Sequence, residues 1–281
     1  MEKIIITSDS TCDLPQSVIS ENNIGICPIC ILLGTDEYKD SVDINAQKVL
    51  DYVKETNVLP KTAATPSAIY KEFFENYTKE GYTVIHFNIS SKASSCNNNA
   101  EMAAKELDNV YVIDSYSLSS GQGIQILKAC DLVKEGKSAK EIVDVINAEK
   151  EKVQISFVVD TLDFLHKGGR CSSVAMVASK VMKIHPSIAM REGALGVDKK
   201  YMGNLNRSCT QYVKDLAEKY KNYDEARCFV THSPTDRAIV DLVIEKVKEY
   251  FHFEEIIESE AGSTVTSHCG YNTIGVIFYT K

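Results

Sequence analysis

Short apolar runs rich in β-branched residues alternate along this chain with hydroxyl-rich loops and amphipathic stretches, and the order repeats from residue 4 onward. Ile4 to Thr7, Tyr82 to Phe87 and Val110 to Ile113 are too short for helices and read as buried strands. Each runs into a polar loop and then a helix. Ser8 to Asp13 precedes a helix opened by Leu14-Pro15 and reaching about Asn22; Asn88 to Cys96 precedes one through Ala100, Ala103, Ala104 and Leu107; Asp114 to Gly123 leads into a third. Ile24 to Leu33 reads as one further strand, and Gly34-Thr35-Asp36-Glu37 as a hairpin turn before a helix from about Asp43 to Glu55. In the small-residue loop Lys61 to Ser67, Thr65 is placed to cap and Pro66 to start a helix running to about Lys79. Ser138-Ala139-Lys140-Glu141 forms a capping box for a helix ending near Lys150. Repeated strand-to-helix order predicts an α/β first domain, residues 1–157, with a largely parallel sheet flanked by helices.

The second half reads differently. Ile155 to Val159 is a buried strand stopped by Asp160-Thr161; one helical turn, Leu162 to Lys167, then meets Gly168-Gly169, which delivers Arg170 just before a helix from about Ser173 to Met182. Ile184 to Arg191 and Gly196 to Met202 read as strands, Ser208 to Lys221 as a helix, Ala226 to Thr231 as a strand, and Ser233-Pro234-Thr235-Asp236 as the start of a helix to Tyr250. Phe253 to Ile257 and Thr273 to Tyr279 are the last strands, with Ser263 to Asn272 between them as a polar loop carrying His268 in mid-course. These elements predict a second domain, residues 158–281, with a mixed sheet and helices.

A length of 281 residues suits two domains that share an interface. The formal charge of -8 argues against a nucleic-acid-binding surface, so any bound anion must be held locally. No apolar run reaches membrane-spanning length and the N-terminus enters a strand directly, which predicts a cytoplasmic protein. Nine scattered cysteines suit a reducing compartment; Cys27-Pro28-Ile29-Cys30 has metal or redox spacing but falls within a predicted strand, where positions three apart face opposite ways.

The candidate chemistry collects at strand ends. Ser10 and Thr11, beside Asp9, can donate hydroxyls to an anion, while the alternative is an Asp9 satisfied within its loop and an Asp13 that caps the next helix. An aspartyl-phosphate phosphatase is disfavoured, because Thr11 stands where its second acid belongs. Four serines, Ser90, Ser91, Ser94 and Ser95, lie between a strand end and a helix start, where N–H groups and partial positive charge favour a carboxylate or phosphate. Gly121-Gln122-Gly123 lacks the third glycine of a dinucleotide fingerprint and reads as a helix-packing site. Arg170 is a candidate anion clamp, and His268 an acid, base or anion partner. With no triad order and no zinc spacing, the residues point to an anion held by hydroxyls, arginine and histidine.

Thr7 to Leu14, Thr62 to Ser67, Ile89-Ser90-Ser91 with Ser94, Asp114-Ser115, Val159 to Leu162, Gly168 to Ser172 and His268-x-Gly270 together resemble the DegV family across essentially the whole chain. The resemblance implies a two-domain α/β protein that holds one long-chain fatty acid in an apolar tunnel between the domains, needs no cofactor, and presents the carboxylate to a separate ATP-dependent kinase subunit. It assigns the carboxylate to Thr62 and Ser94 and phosphotransfer support to Arg170 and His268, a cationic pair at an exposed rim, and a second family arginine resembles Arg207; Ser10, Thr11 and Ser95 stand beside these as candidate polar contacts read from the strand-end loops. No integral membrane segment is implied, although transient contact with a membrane surface is. Departures from the family pattern are Ala93-Ser94-Ser95-Cys96, the extra residue in Thr62 to Ser67 that leaves Thr65 as an alternative to Thr62, His185-Pro186, and His268-Cys269-Gly270-Tyr271-Asn272. They bear on kinase docking more than on lipid binding. A different class of function, a hydrolase or phosphotransferase acting on a small anionic or acyl substrate through Ser94 or Thr62 with His268, is the alternative.

Overall fold

The computed structural model describes residues 2–171 and 184–281; the helix expected from Ser173 to Met182 lies outside the described residues. The strands β1 (Ile4–Asp9), β2 (Gly25–Cys27), β6 (Thr83–Asn88) and β7 (Val110–Asp114) form a sheet in the order β2-β1-β6-β7, parallel throughout. Parallel pairing requires crossovers, supplied by α1 (Gln16–Glu21), α3 (Ser67–Thr78) and α4 (Cys96–Ala104) among others. The predicted single strand Ile24 to Leu33 is two. Pro28 lacks the N–H a ladder needs, and beyond it β3 (Cys30–Leu33) pairs with β4 (Asp36–Lys39) and β5 (Lys61–Ala63) in a separate small sheet. Cys27 and Cys30 therefore belong to different sheets, and the described residues contain no disulfide and no cluster arranged to hold a metal ion.

The second sheet is mixed, ordered β10 (Ala194–Met202), β9 (Ile184–Arg191), β8 (Val153–Val158), β13 (Ile274–Thr280), β11 (Tyr223–His232), β12 (Glu255–Glu260). The strand β8 pairs only within this sheet, so the division expected between residues 157 and 158 cuts through it. From α8 (Leu205–Lys219) and α9 (Arg237–Tyr250), Tyr212, Val213, Val243 and Val247 pack in one cluster with Val158, Val230, Val276 and Phe278 of this sheet. Remaining elements are α2 (Ala46–Thr56), α5 (Ser120–Lys134), α6 (Ala139–Glu149), α7 (Asp163–Gly168) and α10 (Ser263–Cys269).

One continuous core joins the two sheets: Ile6, Ile85 and Ile113 from the parallel sheet meet Ile155, Phe229 and Ile277 from the mixed one, with Ile124 and Leu127 of α5 packed among them. A helix in that position must be narrow. At Gly121 a Cβ would collide with Ser117 Oγ and Ile155 Cδ1, and at Gly123 with the Cys12 carbonyl at 2.9 Å, which bears out the packing role read for these glycines. The capping box at Ser138 and Glu141 is present as expected. No helix among the described residues is long and apolar enough to cross a membrane.

Candidate functional site

The polar loop expected from Ser263 to Asn272 is in fact mostly the helix α10, and His268 stands in its last turn rather than in mid-loop. Ser, Thr, Val, His and Cys are indifferent helix formers, so propensity does not announce this helix. Contacts from the first domain hold it. Asp40, fully buried, accepts from the backbone N–H of Ser263 at 2.9 Å and of Thr264 at 3.3 Å, and from the Ser10 hydroxyl at 2.9 Å. Asp13 accepts from Gly262 N–H at 2.9 Å and Ser119 Oγ at 2.5 Å. Thr266 Oγ1 donates to the Ala261 carbonyl just before the helix at 3.2 Å and Ser267 Oγ to the Ser263 carbonyl at 2.7 Å, so both hydroxyls are satisfied by nearby backbone and leave the holding of the helix to the two carboxylates.

Asp13 thus does not cap α1, whose N-cap residue is Pro15 without a side-chain bond. Burial raises the Asp13 carboxyl well above the ordinary range, with Asp40 nearby adding to the effect. Asp9 is satisfied by its own loop and by two distant segments: it accepts from Thr11 N–H (3.0 Å), Thr11 Oγ1 (2.5 Å), Asn88 Nδ2 (3.1 Å), Ile89 N–H (2.8 Å) and Gln122 Nε2 (3.2 Å). Ser10 and Thr11 are spent on these carboxylates and line no part of the site below, which corrects their reading as anion contacts. Thr65 does not cap α3; its hydroxyl faces the Pro28 carbonyl at 3.5 Å, leaving Thr62 as the loop threonine that reaches the cavity. Arg207 is exposed on the first turn of α8 and is absent from the cavity wall.

Thr62, Ser94, Ser95, Arg170 and His268 do converge, on one cavity of about 190 Å³. Thr62 comes from β5, the serines from the turn before α4, Arg170 from the segment after α7 and His268 from α10. The rest of the wall is largely apolar, including Ile29, Ile89, Leu118, Phe157, Leu165 and Leu195. Leu118, Phe157, Val265 and Cys269 also border a smaller apolar void of about 30 Å³ that continues between Ile155, Ile277 and Ala261. Hydroxyl, guanidinium and imidazole groups thus share one cavity with an apolar wall, a combination that suits a ligand with an acidic head and an apolar body.

Ser94 Oγ accepts from Cys96 N–H at 3.3 Å and donates to Cys96 Sγ at 3.2 Å, a weak acceptor that a carboxylate oxygen can displace. Thr62 Oγ1 lies 2.9 Å from His268 Nε2. Nδ1 of His268 has no hydrogen-bond partner among the described residues and faces Gly168, where a Cβ would stand 2.8 Å away. Gly168 therefore makes room for the imidazole, and Gly169, with φ 70°, turns the chain so that Arg170 Nη1 donates back to the Gly168 carbonyl at 2.7 Å. Burial, with the Arg170 charge adding to it, lowers the His268 pKa to about 4. Arg170 is exposed as expected of a rim residue, whereas His268 is half-buried and neutral near pH 7, not half of a cationic pair.

The fold and this cavity define a two-domain α/β protein with a cavity that sets hydroxyl, guanidinium and imidazole groups beside apolar walls. Residues 3–281 match the sequence profile of the family described as "Uncharacterised protein, DegV family", and the chain belongs to the DegV family. A DegV domain-containing protein of Clostridium acetobutylicum is 34% identical over 284 residues, covering 100% of both chains. Among solved structures, a DegV family protein of Thermus thermophilus described as fatty acid binding superposes with a TM-score of 0.90 at 25% identity, covering 99% of this chain and 100% of that one. DegV of Bacillus subtilis, described as a fatty acid binding protein, gives 0.87 at 25% identity over 100% of both.

Proposed function

We propose that this chain binds one long-chain fatty acid, its carboxylate held in the cavity by Ser94 and Thr62, and its alkyl chain running past Leu118, Phe157 and Val265 between the sheets. The observation that carries this reading is the convergence of four separately encoded polar groups, from Thr62, Ser94, Arg170 and His268, on one cavity whose wall is otherwise largely apolar. The fatty acid binding described for the Thermus and Bacillus relatives supports it. Each methylene moved from water into such a wall contributes about 0.8 kcal/mol. A carboxylate arriving at Thr62 takes that hydroxyl's proton as a hydrogen bond while His268 Nε2–H donates to the same oxygen, so the imidazole backs the hydroxyl rather than meeting the anion alone. Division of the chain into two domains near residue 152, at the start of the mixed sheet, belongs to this reading, as does a cytoplasmic location with passing contact to membrane surfaces.

Presentation to a separate ATP-using kinase is the further step. Arg170, exposed at the cavity mouth, suits the charge that builds when a phosphoryl group meets the carboxylate. The Thr62–His268 hydrogen bond is the one feature favouring the enzyme alternative, a hydroxyl nucleophile with its base. Against it stand a base lowered to about 4 and, among the described residues, no acid oriented on Nδ1. Protein purified without added lipid should release a stoichiometric long-chain fatty acid on denaturation and extraction, read by mass spectrometry, and should form acyl phosphate from ATP only when a partner kinase is added. Absence of lipid together with failure to take up palmitate contradicts binding; hydrolysis of acyl esters by the protein alone favours the alternative.

A further inference from the structure

The site contains a hydroxyl that nothing above has used. Thr264 is 5% exposed, lines the same cavity as Thr62, Ser94 and His268, and its Oγ1 has no hydrogen-bond partner among the described residues. It precedes His268 by four residues on α10, so the two side chains share one helix face, separated by about 6 Å of rise. Val265 and Cys269 of the same helix line this cavity too and also border the smaller apolar void, as does Ala261 just before the helix. Other hydroxyls of the helix are satisfied by nearby backbone, as Thr266 and Ser267 show, and Ser263, also unpartnered, faces an outer groove rather than the cavity.

A buried hydroxyl left unpaired is unfavourable, and a valine would fill the same space without that cost. We propose that Thr264 is a third hydroxyl donor to the ligand's carboxylate, acting with Ser94 and Thr62, and that its unpaired state is resolved when an anionic head group occupies the cavity. A carboxylate offers about four lone-pair positions over two oxygens, so a third donor has a place to bind. The inference rests on the fatty acid reading of the site and adds a head-group contact to it.

The test compares wild type, Thr264→Val and Thr264→Ser, full length, for binding of palmitate and of hexadecanol, which has the same chain without the carboxylate. Thermal unfolding of Thr264→Val should begin no earlier than in wild type, because the lost hydroxyl had no partner. Palmitate affinity should fall about tenfold or more in Thr264→Val and stay within about threefold of wild type in Thr264→Ser, with hexadecanol changing by less than about threefold in both. Unchanged palmitate affinity in Thr264→Val overturns the proposal, and so does equal weakening of palmitate and hexadecanol, which would mark a packing effect. Loss in Thr264→Ser as large as in Thr264→Val overturns it as well, whether or not the valine variant folds. Wild-type protein that takes up no palmitate overturns the fatty acid reading itself, and this inference with it.

Discussion

Among the residues of the site, His268 responds most to what the cavity holds. In the free protein its imidazole is lowered to about 4, first by burial and then by Arg170. A carboxylate placed against the Thr62–His268 pair favours the imidazolium and raises that value. Between the free-state value of about 4 and the raised value of the complex the liganded form binds more protons than the free form, so affinity for a fatty acid should rise as pH falls from 7 toward 5. Calorimetry in buffers of different ionisation enthalpy should register proton uptake on binding at pH 5.5 and little at pH 8. Proton release at pH 5.5 would place the carboxylate away from His268. Because Thr62 and His268 share a hydrogen bond, His268→Ala is expected to weaken fatty-acid binding as well as the proposed presentation to a kinase, an outcome that binding and phosphotransfer assays on the one variant would check.

At the scale of elements, the site depends on α10, and α10 depends on Asp40. Asp40→Ala removes the acceptor for Ser10 Oγ, Ser263 N–H and Thr264 N–H in a fully buried place, which should cost at least about 2 kcal/mol of stability, measured by urea unfolding. A loss below about 0.5 kcal/mol would show that the helix is held by other means. This dependence is also why the helix is not legible in the sequence: Asp40 and Ser263 are 223 residues apart, and the local residues Ser263 to Cys269 argue for a loop. The parallel sheet, the β3–β4 hairpin, the capping box and the packing glycines are legible, because each is set by local chemistry or by periodicity. The break at Pro28 was visible in principle, since a proline inside a strand pattern marks a boundary. Thr62, Ser94, Ser95, Arg170 and His268 were legible as polar groups at element ends, whereas Ser10, Thr11, Thr65 and Asp13 look the same in sequence and are consumed by internal hydrogen bonds. Only the partners, which the sequence does not display, separate the two groups.

For the whole molecule, the decisive feature is that the core is shared. Ile85 and Ile113 of the parallel sheet and Ile155 and Ile277 of the mixed sheet lie in one cluster around α5, and the cavity has walls from the segment that follows β6, from β5 of the small sheet and from β8 and β10 of the mixed one. Filling the cavity should therefore bind the two halves together and raise the unfolding temperature of the entire chain, as expected when a ligand binds only the folded state. The central claim, a fatty acid whose carboxylate sits at Ser94 and Thr62, is tested most directly by carbon NMR with palmitate labelled at the carboxyl carbon. Wild-type protein should show one saturable bound carboxyl resonance at a 1:1 ratio, and Ser94→Ala should shift that resonance and weaken binding by roughly 1.5 to 3 kcal/mol. A bound resonance identical in Ser94→Ala, or no saturable bound resonance in wild type, would contradict it.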